Sequence, residues 1–199
     1  MDNLEKNRAV TEAFVKVCQA LNQLGITPIL YGSLSLVLQF DFDLEADDID
    51  LAISAKEFLS HWAMITAALA PLGYQVDPEH VHEFIGHKPF VGFEIWEDLT
   101  GWALIEGHEM IESQLGKAAF RQLPDKVLLQ IYQTGLRDPY RVARKGKNDN
   151  TVIAQLSMQI NITKSESANR LSQRITQNLK PGVKPLLDIN KFYQSNRDQ

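Results

Sequence analysis

Hydrophobic residues recur at helical spacing in two segments of the first half of the chain. In residues 3–24 one stripe comprises Val10, Phe14, Val17, Leu21 and Leu24. A second stripe comprises Phe58, Trp62, Ile65 and Leu69. Residues three or four apart share one face of an α-helix, so each stripe predicts an amphipathic helix. Gly25 and Gly73 are the expected stop signals, and Ser54-Ala-Lys-Glu57 has the form of a capping box.

Short apolar runs between and after these helices predict strands. Residues 27–31 and 48–53 form the first two, with an apolar helical turn over residues 34–40 between them. A β-meander is expected in residues 74–107. Its strands are Tyr74–Val76, Val81–Ile85, Pro89–Trp96 and Trp102–Ile105. Helical patterns return after Pro124-Asp125 and at Asn150–Ile162, and Asp138-Pro139 separates them.

This order of elements predicts an α+β fold, in which a mixed sheet is flanked by helices. We expect one domain over residues 1–160 and a C-terminal extension over residues 161–199. The extension is basic, polar and partly helical in pattern. It could dock on the domain, pair with a second subunit and so form an oligomer, or remain partly disordered.

Two polar motifs lie at the ends of the first two strands. Gly32-Ser33 follows strand 27–31, and Asp48-Ile49-Asp50 opens strand 48–53. Side chains two apart on a strand point to the same face, so Asp48 and Asp50 project together. Two adjacent carboxylates are costly unless a cation neutralises them, and Mg²⁺ with nucleotide phosphates is a common solution. The alternative is a solvated strand end.

The surroundings of this pair favour a cation site. Six acidic residues crowd into one loop and strand without a basic residue among them: Asp41, Asp43, Glu45, Asp47, Asp48 and Asp50. Such a density of negative charge is destabilising unless it serves a cation, although some of these side chains must face water.

The combination of strand, Gly-Ser, helix and Asp-x-Asp on a second strand resembles the signature of the nucleotidyltransferase superfamily. The runs Tyr31-Gly-Ser-Leu-Ser-Leu and Ala46-Asp-Asp-Ile-Asp-Leu-Ala-Ile are especially similar to the small bacterial enzymes that modify aminoglycoside and lincosamide antibiotics. The resemblance covers residues 26–55 and weakens towards residue 150. The spacer between Ser33 and Asp48 is longer than is usual in that superfamily.

The resemblance implies a role for each matching residue. Gly32 and Ser33 would bind the phosphates of an NTP, and Asp48 and Asp50 would hold Mg²⁺ and act in catalysis. Active members usually add a third carboxylate on a neighbouring strand. Glu94, in Phe93-Glu-Ile-Trp, and Glu106, after Trp-Ala-Leu-Ile, are the candidates, with Glu94 preferred slightly. Without such a carboxylate, the protein would bind nucleotide without turnover.

Charge is distributed unevenly along the chain. Residues 1–136 contain 8 Lys and Arg against 20 Asp and Glu, a net charge of −12, whereas residues 137–199 contain 12 against 5, a net charge of +7. Arg141, Arg144, Lys145 and Lys147 form a compact basic cluster. This cluster is either a solvated loop or a phosphate-binding group, with Arg141 and Lys145 over the acidic site. It is too short and too poor in aromatic residues to favour nucleic acid, which remains a possible but weaker partner.

The histidines and the cysteine add less. His80 and His82 are expected on one strand face, as surface residues, as contacts to the acceptor or, with Glu83 or His87, as a zinc site. Cys18 is the single cysteine, which excludes an intrachain disulfide, and it is expected in the core. No apolar stretch is long enough for a membrane span and the N-terminal residues do not resemble a signal peptide, so we expect a cytoplasmic protein.

Two functions are therefore carried forward. The first is a Mg²⁺-dependent nucleotidyltransferase that moves an NMP group from an NTP to a small hydroxyl acceptor. The second is a protein of the same fold without turnover, which acts as a nucleotide-binding or regulatory partner. The third carboxylate discriminates between them, because fold alone does not determine function.

Overall fold

The computed structural model describes residues 3–86, 89–105 and 109–160. Contacts within the chain group these residues into two compact units. The first contains the described residues of Met1–Leu99 and Met110–Leu123, and the second those of Thr100–Glu109 and Pro124–Leu186. The expected extension over residues 161–199 lies outside the described residues, so its boundary and its role stay predictions.

The first unit is built on a mixed sheet. Its strands within the described residues are β1 (Ile29–Tyr31), β2 (Asp48–Ile53), β3 (Gln75–Val76), β4 (Glu83–Ile85), β5 (Phe90–Ile95), β6 (Ile111–Leu115) and β7 (Ala118–Gln122). They pair in the order β3-β4-β5-β2-β1-β7-β6. The β2–β5 and β1–β7 pairs are parallel and the other pairs are antiparallel. The expected mixed sheet with flanking helices is confirmed.

Three helices of this unit follow the predicted pattern. They are α1 (Asn3–Gln23), α2 (Gly32–Phe40) and α3 (Ala55–Leu69), the last continued by a 3₁₀ turn at Ala70–Leu72. The capping box at the start of α3 is present, because the Ser54 and Glu57 side chains each bond the other residue's backbone N–H. The apolar stripe of α1 packs on the sheet: Phe14 is fully buried and its ring meets that of Phe120 edge-on at 4.9 Å.

The prediction of a strand at Trp102–Ile105 is wrong. The chain instead forms helix α4 (Trp96–Ala103) there. Glu97 and Asp98 occupy its first turn, where negative charge suits the helix dipole. Leu99 and Ala103 are buried at helical spacing. Trp102 and Ala103 are therefore the last residues of a helix, and Leu104 and Ile105 follow its end.

The hairpin of β6 and β7 is an element that was not predicted from the sequence. Leu115 pairs with Ala118, so Gly116-Lys117 is a two-residue turn. Gly116 has φ +61°, a conformation that favours glycine. A two-residue turn that contains glycine was the available signal.

The second unit contains α5 (Asp125–Gly135) and α6 (Pro139–Gln159). The apolar residues expected on α5 are buried: Val127, Leu128, Ile131 and Tyr132. The helix α6 begins at Pro139, eleven residues before the helix expected at Asn150–Ile162. Proline fits the first turn of a helix because its missing N–H would have no partner there. The basic cluster consequently lies on a helix and not in a loop.

Candidate active site

The Asp-x-Asp motif lies on the central strand β2, as its alternation predicted. Ile49, Leu51 and Ile53 are buried in the core, whereas Asp48 and Asp50 are only partly buried and share the opposite face. The strand is fixed on both sides, by β1 and by β5. The two carboxylates therefore project from a rigid element.

Gly32 lies directly against this pair. It is the first residue of α2 and has φ +72°. A Cβ atom at position 32 would overlap the Asp50 carboxylate. Glycine is therefore required twice here, by its backbone conformation and by the close approach of Asp50. The Gly-Ser and Asp-x-Asp motifs, which are separated in sequence, meet at this contact.

Ser33 is the second residue of α2 and is partly buried. The residue that precedes the helix, Tyr31, provides no side-chain cap for the first turn. The same residue pairs with Asp50 across the β1–β2 ladder. The start of α2 thus lies beside the carboxylate pair, and the backbone N–H groups of a first helical turn suit anions such as phosphate.

Glu94 shares the face of Asp48 and Asp50. In the parallel β2–β5 pair, Asp50 is the partner of Gly92 and Ala52 is the partner of Glu94. Paired residues point to the same face of a sheet, so Glu94 is a diagonal neighbour of Asp50, for which Cα separations are about 7–8 Å. Carboxylate side chains at that separation can reach one ion. Gly92 lies level with Asp50 and leaves the space beside it open: a Cβ there would meet Asp50 Oδ1 at 3.9 Å.

The environment of Glu94 favours its protonated form. Burial, followed by the negative charges of Asp98 and Glu83, raises the pKa of Glu94 from 4.5 to about 7. Asp98 is buried on α4. Glu83 lies on β4, the neighbour of β5 opposite to β2, and pairs there with Gly92. A carboxyl group with a pKa near neutrality can exchange a proton at physiological pH. Only the apolar neighbours of Glu94 are visible in the sequence, because Asp98 and Glu83 approach it through the fold.

The loop before Asp48 is held by α1, a connection that the sequence did not reveal. The Asn7 side chain donates to the Leu44 carbonyl at 2.7 Å and accepts from the Ala46 N–H at 2.9 Å. Lys6 pairs with Glu45 at 2.6 Å. Lys6, which is distant in sequence, thus places a positive charge beside the acidic loop. These contacts hold residues 44–46 of the long spacer between Ser33 and Asp48 against α1.

The described residues do not test the remaining site candidates. Glu106 lies outside them. Arg141 and Lys145 lie on α6, in the second unit. Arg141 binds the buried Asp149 carboxylate through two hydrogen bonds, at 2.7 Å and 3.2 Å. Its expected phosphate contact stays a prediction, as does that of Lys145.

His80 does not share a strand face with His82, because β4 begins only at Glu83. His80 instead lies in the turn before β4, where its Nδ1 is 3.2 Å from Asp77 Oδ2. Burial lowers the pKa of His82 to about 4. Cys18 is buried as expected, donates to the Ala119 carbonyl, and has its pKa raised by burial to about 12, which makes it unreactive.

None of the described helices combines the length and apolar character that a membrane span requires.

Known proteins resemble this chain in both sequence and structure. The uncharacterized protein YnaI of Bacillus subtilis (strain 168) is 30% identical over 141 residues, which cover 70% of this chain and 90% of YnaI. No protein-family model matches the chain.

The solved structures share the fold at low sequence identity. The crystal structure of ANT(2'')-Ia in complex with adenylyl-2''-tobramycin superposes with a TM-score of 0.60 at 13% identity, over 84% of this chain and 98% of that one. The solution structure of the antibiotic-resistance factor ANT(2'')-Ia gives a TM-score of 0.62 at 15% identity, over 87% and 94% of the two chains. An antigenic nucleotidyltransferase-like protein from Paracoccidioides brasiliensis gives 0.52 at 15% identity, over 88% and 89%. The chain therefore has the nucleotidyltransferase fold, and it belongs to the same family as YnaI of Bacillus subtilis.

Proposed function

We propose that this protein is a Mg²⁺-dependent nucleotidyltransferase that moves an NMP group from an NTP to a hydroxyl group of a small molecule. The observation that supports this most strongly is the register of β2 and β5, which gives Asp48, Asp50 and Glu94 one common face. A protein that only bound nucleotide would have no need of the third carboxylate.

The donor set fits a magnesium ion. Asp48 and Asp50 offer oxygen ligands from one strand, and oxygen is what Mg²⁺ prefers. The contact of Gly32 with Asp50 fixes that carboxylate beside the start of α2. When bound, the ion would neutralise charge on the triphosphate during attack at the α-phosphate.

Groups of the protein bind the phosphates and accept the proton of the acceptor. The first N–H groups of α2 and the Ser33 hydroxyl bind phosphate oxygens and orient the triphosphate. Glu94 accepts the proton of the acceptor hydroxyl, for which a pKa of about 7 is suited at neutral pH. The protein acts in the cytoplasm, where NTPs and Mg²⁺ are available.

The structures that share this fold suggest the chemical class of the acceptor and not its identity. ANT(2'')-Ia was solved with adenylyl-2''-tobramycin, a nucleotidylated aminoglycoside. By analogy we propose a small polyhydroxylated molecule as acceptor for this chain, in place of a polynucleotide.

The test is a transfer assay paired with a binding assay. A thermal-shift screen of the four NTPs with Mg²⁺ identifies the nucleotide, because a ligand that binds only the folded state raises the melting temperature. Pyrophosphate release is then measured with pools of hydroxyl acceptors. Glu94→Gln should keep nucleotide affinity and lose transfer. Transfer that survives in Glu94→Gln would exclude Glu94 as the base.

A nucleotide-binding or regulatory protein is the alternative function. It is favoured if NTP and Mg²⁺ raise the melting temperature of the wild type and of Glu94→Gln equally while no acceptor pool releases pyrophosphate. In that case the carboxylate pair would serve binding alone.

A further inference from the structure

A second group of metal-ligating side chains lies outside the proposed active site. Asp77, His80 and Glu83 belong to the connection between β3 and β4 and to the first residue of β4. Each offers one ligand atom, and these atoms all lie within 4.8 Å of one another. We propose that these three residues form a binding site for a divalent cation, with Zn²⁺ as the preferred ion.

The backbone fixes the three residues relative to one another. The Asp77 N–H donates to the Glu83 carbonyl, and the Glu83 N–H donates to the His80 carbonyl, each at 2.8 Å. The Glu79 N–H donates to Asp77 Oδ1 at 2.8 Å, which leaves Oδ2 directed to His80. The ligand atoms therefore belong to one short turn whose ends are held together, and little chain entropy is lost when an ion binds.

The distances suit a small tetrahedral ion. His80 Nδ1 lies 3.2 Å from Asp77 Oδ2. Two ligands at about 2.0–2.1 Å from a tetrahedral zinc ion are about 3.3 Å apart, so this pair already has the required spacing. Glu83, whose side chain is 40% exposed and whose Oε1 lies 3.7 Å from His82 Nε2, offers the third ligand atom within 4.8 Å of the other two. Access is open as well, because the His80 side chain is 42% exposed.

The chemistry of the donors selects the ion. One imidazole nitrogen with two carboxylate oxygens suits Zn²⁺, whereas Mg²⁺ prefers oxygen ligands alone. This distinguishes the site from Asp48 and Asp50, which offer only oxygen. Three protein ligands leave a fourth position for water.

The position of the site indicates what a bound ion would do. β3 is an edge strand of the sheet, and β4 joins it to β5. Glu83 pairs with Gly92, which in turn pairs with Asp50. An ion bound by Asp77, His80 and Glu83 would therefore crosslink the hairpin at the edge of the sheet, in the row of paired residues that includes Asp50. It would act as a structural ion for that side of the sheet.

The experiment is equilibrium dialysis of the full chain against Zn²⁺ with millimolar Mg²⁺ present, followed by metal analysis. Mg²⁺ in excess occupies sites made of oxygen alone. We expect the wild type to retain one Zn²⁺ per chain, and Co²⁺ in its place to give the visible absorption of a tetrahedral complex.

The variants locate the ion. His80→Ala should lower Zn²⁺ affinity by more than about a hundredfold, above the 10–100-fold that loss of a mere outer-shell partner causes. His61→Ala, which removes a histidine on α3, and Asp50→Asn should both keep the wild-type affinity. A cooperative melting transition without Zn²⁺ shows that each variant is folded. Zn²⁺ should then raise the melting temperature of the wild type and of His61→Ala and leave that of His80→Ala unchanged.

Three results would overturn the proposal. They are a wild type that retains no Zn²⁺, a His80→Ala variant that binds it as the wild type does, and loss of binding in Asp50→Asn or His82→Ala in place of His80→Ala. None of them bears on nucleotide transfer, which is measured without Zn²⁺.

Discussion

At the scale of single residues, the contact between Gly32 and Asp50 joins the two motifs of the site. Gly32→Ala should lower the free energy of unfolding by more than the roughly 1–2 kcal/mol of strain at positive φ, because its Cβ would also overlap the Asp50 carboxylate. It should also displace the Asp50 carboxylate and abolish Mg²⁺-dependent nucleotide binding. Urea denaturation and isothermal titration calorimetry with NTP and Mg²⁺ measure the two effects.

Gly25 provides the matched control for this substitution. It has φ +77°, and a Cβ there would have no neighbour within 4 Å. Gly25→Ala should therefore lose stability only through the strain of positive φ, about 1–2 kcal/mol, and keep normal nucleotide binding. Equal nucleotide affinity in both variants would show that the Gly32–Asp50 contact has no role in the site.

The raised pKa of Glu94 predicts a pH-dependent stability. The carboxyl group binds its proton more tightly in the folded protein, with a pKa of about 7, than in the unfolded chain, with a pKa of 4.5. Its contribution to stability is therefore complete below pH 4.5 and is lost as the pH rises through 7. The difference between these pKa values corresponds to roughly 3 kcal/mol.

The metal-free wild type should therefore lose stability between pH 5 and pH 8, and Glu94→Gln should lose less. The variant is thus expected to be more stable relative to the wild type at pH 8 than at pH 5. Urea denaturation without divalent cations measures this difference. Glu112→Gln, which changes a carboxylate that is 71% exposed on β6, is the control for this substitution. A Glu94→Gln variant that behaves like Glu112→Gln would contradict the assigned environment.

At the scale of elements, α1 holds the loop that precedes Asp48. Asn7→Ala would leave the Leu44 carbonyl and the Ala46 N–H without their partner, and Ala46 is buried. We expect a loss of about 1–3 kcal/mol in the free energy of unfolding. Because the loop then has more freedom, the affinity for Mg²⁺ with NTP should fall as well.

Asn3→Ala is the control, since Asn3 contacts the same loop through an exposed hydrogen bond to Asp43 at 3.2 Å. A change within about 0.5 kcal/mol is expected there. If Asn7→Ala and Asn3→Ala have equal effects on metal affinity, α1 does not position the site.

The helix α6 carries one arginine with a structural role, Arg141, and one candidate phosphate ligand, Lys145. Arg141→Ala would leave the carboxylate of Asp149, which is 3% exposed, without its two hydrogen bonds from the guanidinium. We expect a loss of about 2 kcal/mol, below the range for fully buried pairs because Arg141 is partly exposed. Lys145 is exposed, so Lys145→Ala should change the free energy of unfolding by less than about 0.5 kcal/mol.

Lys145→Ala is therefore the cleaner test of the predicted phosphate contact. NTP affinity measured at low and high salt should fall only at low salt, where charges are less screened. If NTP affinity is the same as in the wild type at both salt concentrations, the basic cluster does not bind phosphate.

At the scale of the whole molecule, local patterns predicted most of the architecture. The period of two in Asp48–Ile53 and the helical stripe around Phe14 each reflect one buried face, so they could be identified from the sequence alone. The strand expected at Trp102–Ile105 failed because an apolar run of four residues fits either element. Its helical nature depends on residues that precede it, from Trp96 onwards.

The site was predictable in its motifs and not in its connections. Asp48, Asp50 and Gly32 could be selected from sequence because their spacing carries the information. The support of the loop by Asn7, and the charges of Glu83 and Asp98 around Glu94, depend on pairings between distant segments. Such pairings follow from the register of the sheet, which a single sequence does not define.

The proposed function requires Asp48 and Asp50 to bind a divalent cation together with a nucleotide. Its most direct test is titration with Mn²⁺, monitored by electron paramagnetic resonance, with and without a non-hydrolysable NTP analogue. The wild type should bind Mn²⁺ more tightly when the analogue is present, and Asp48→Asn should abolish this nucleotide-dependent binding while the protein remains folded. Nucleotide-dependent Mn²⁺ binding of equal strength in Asp48→Asn would contradict the account.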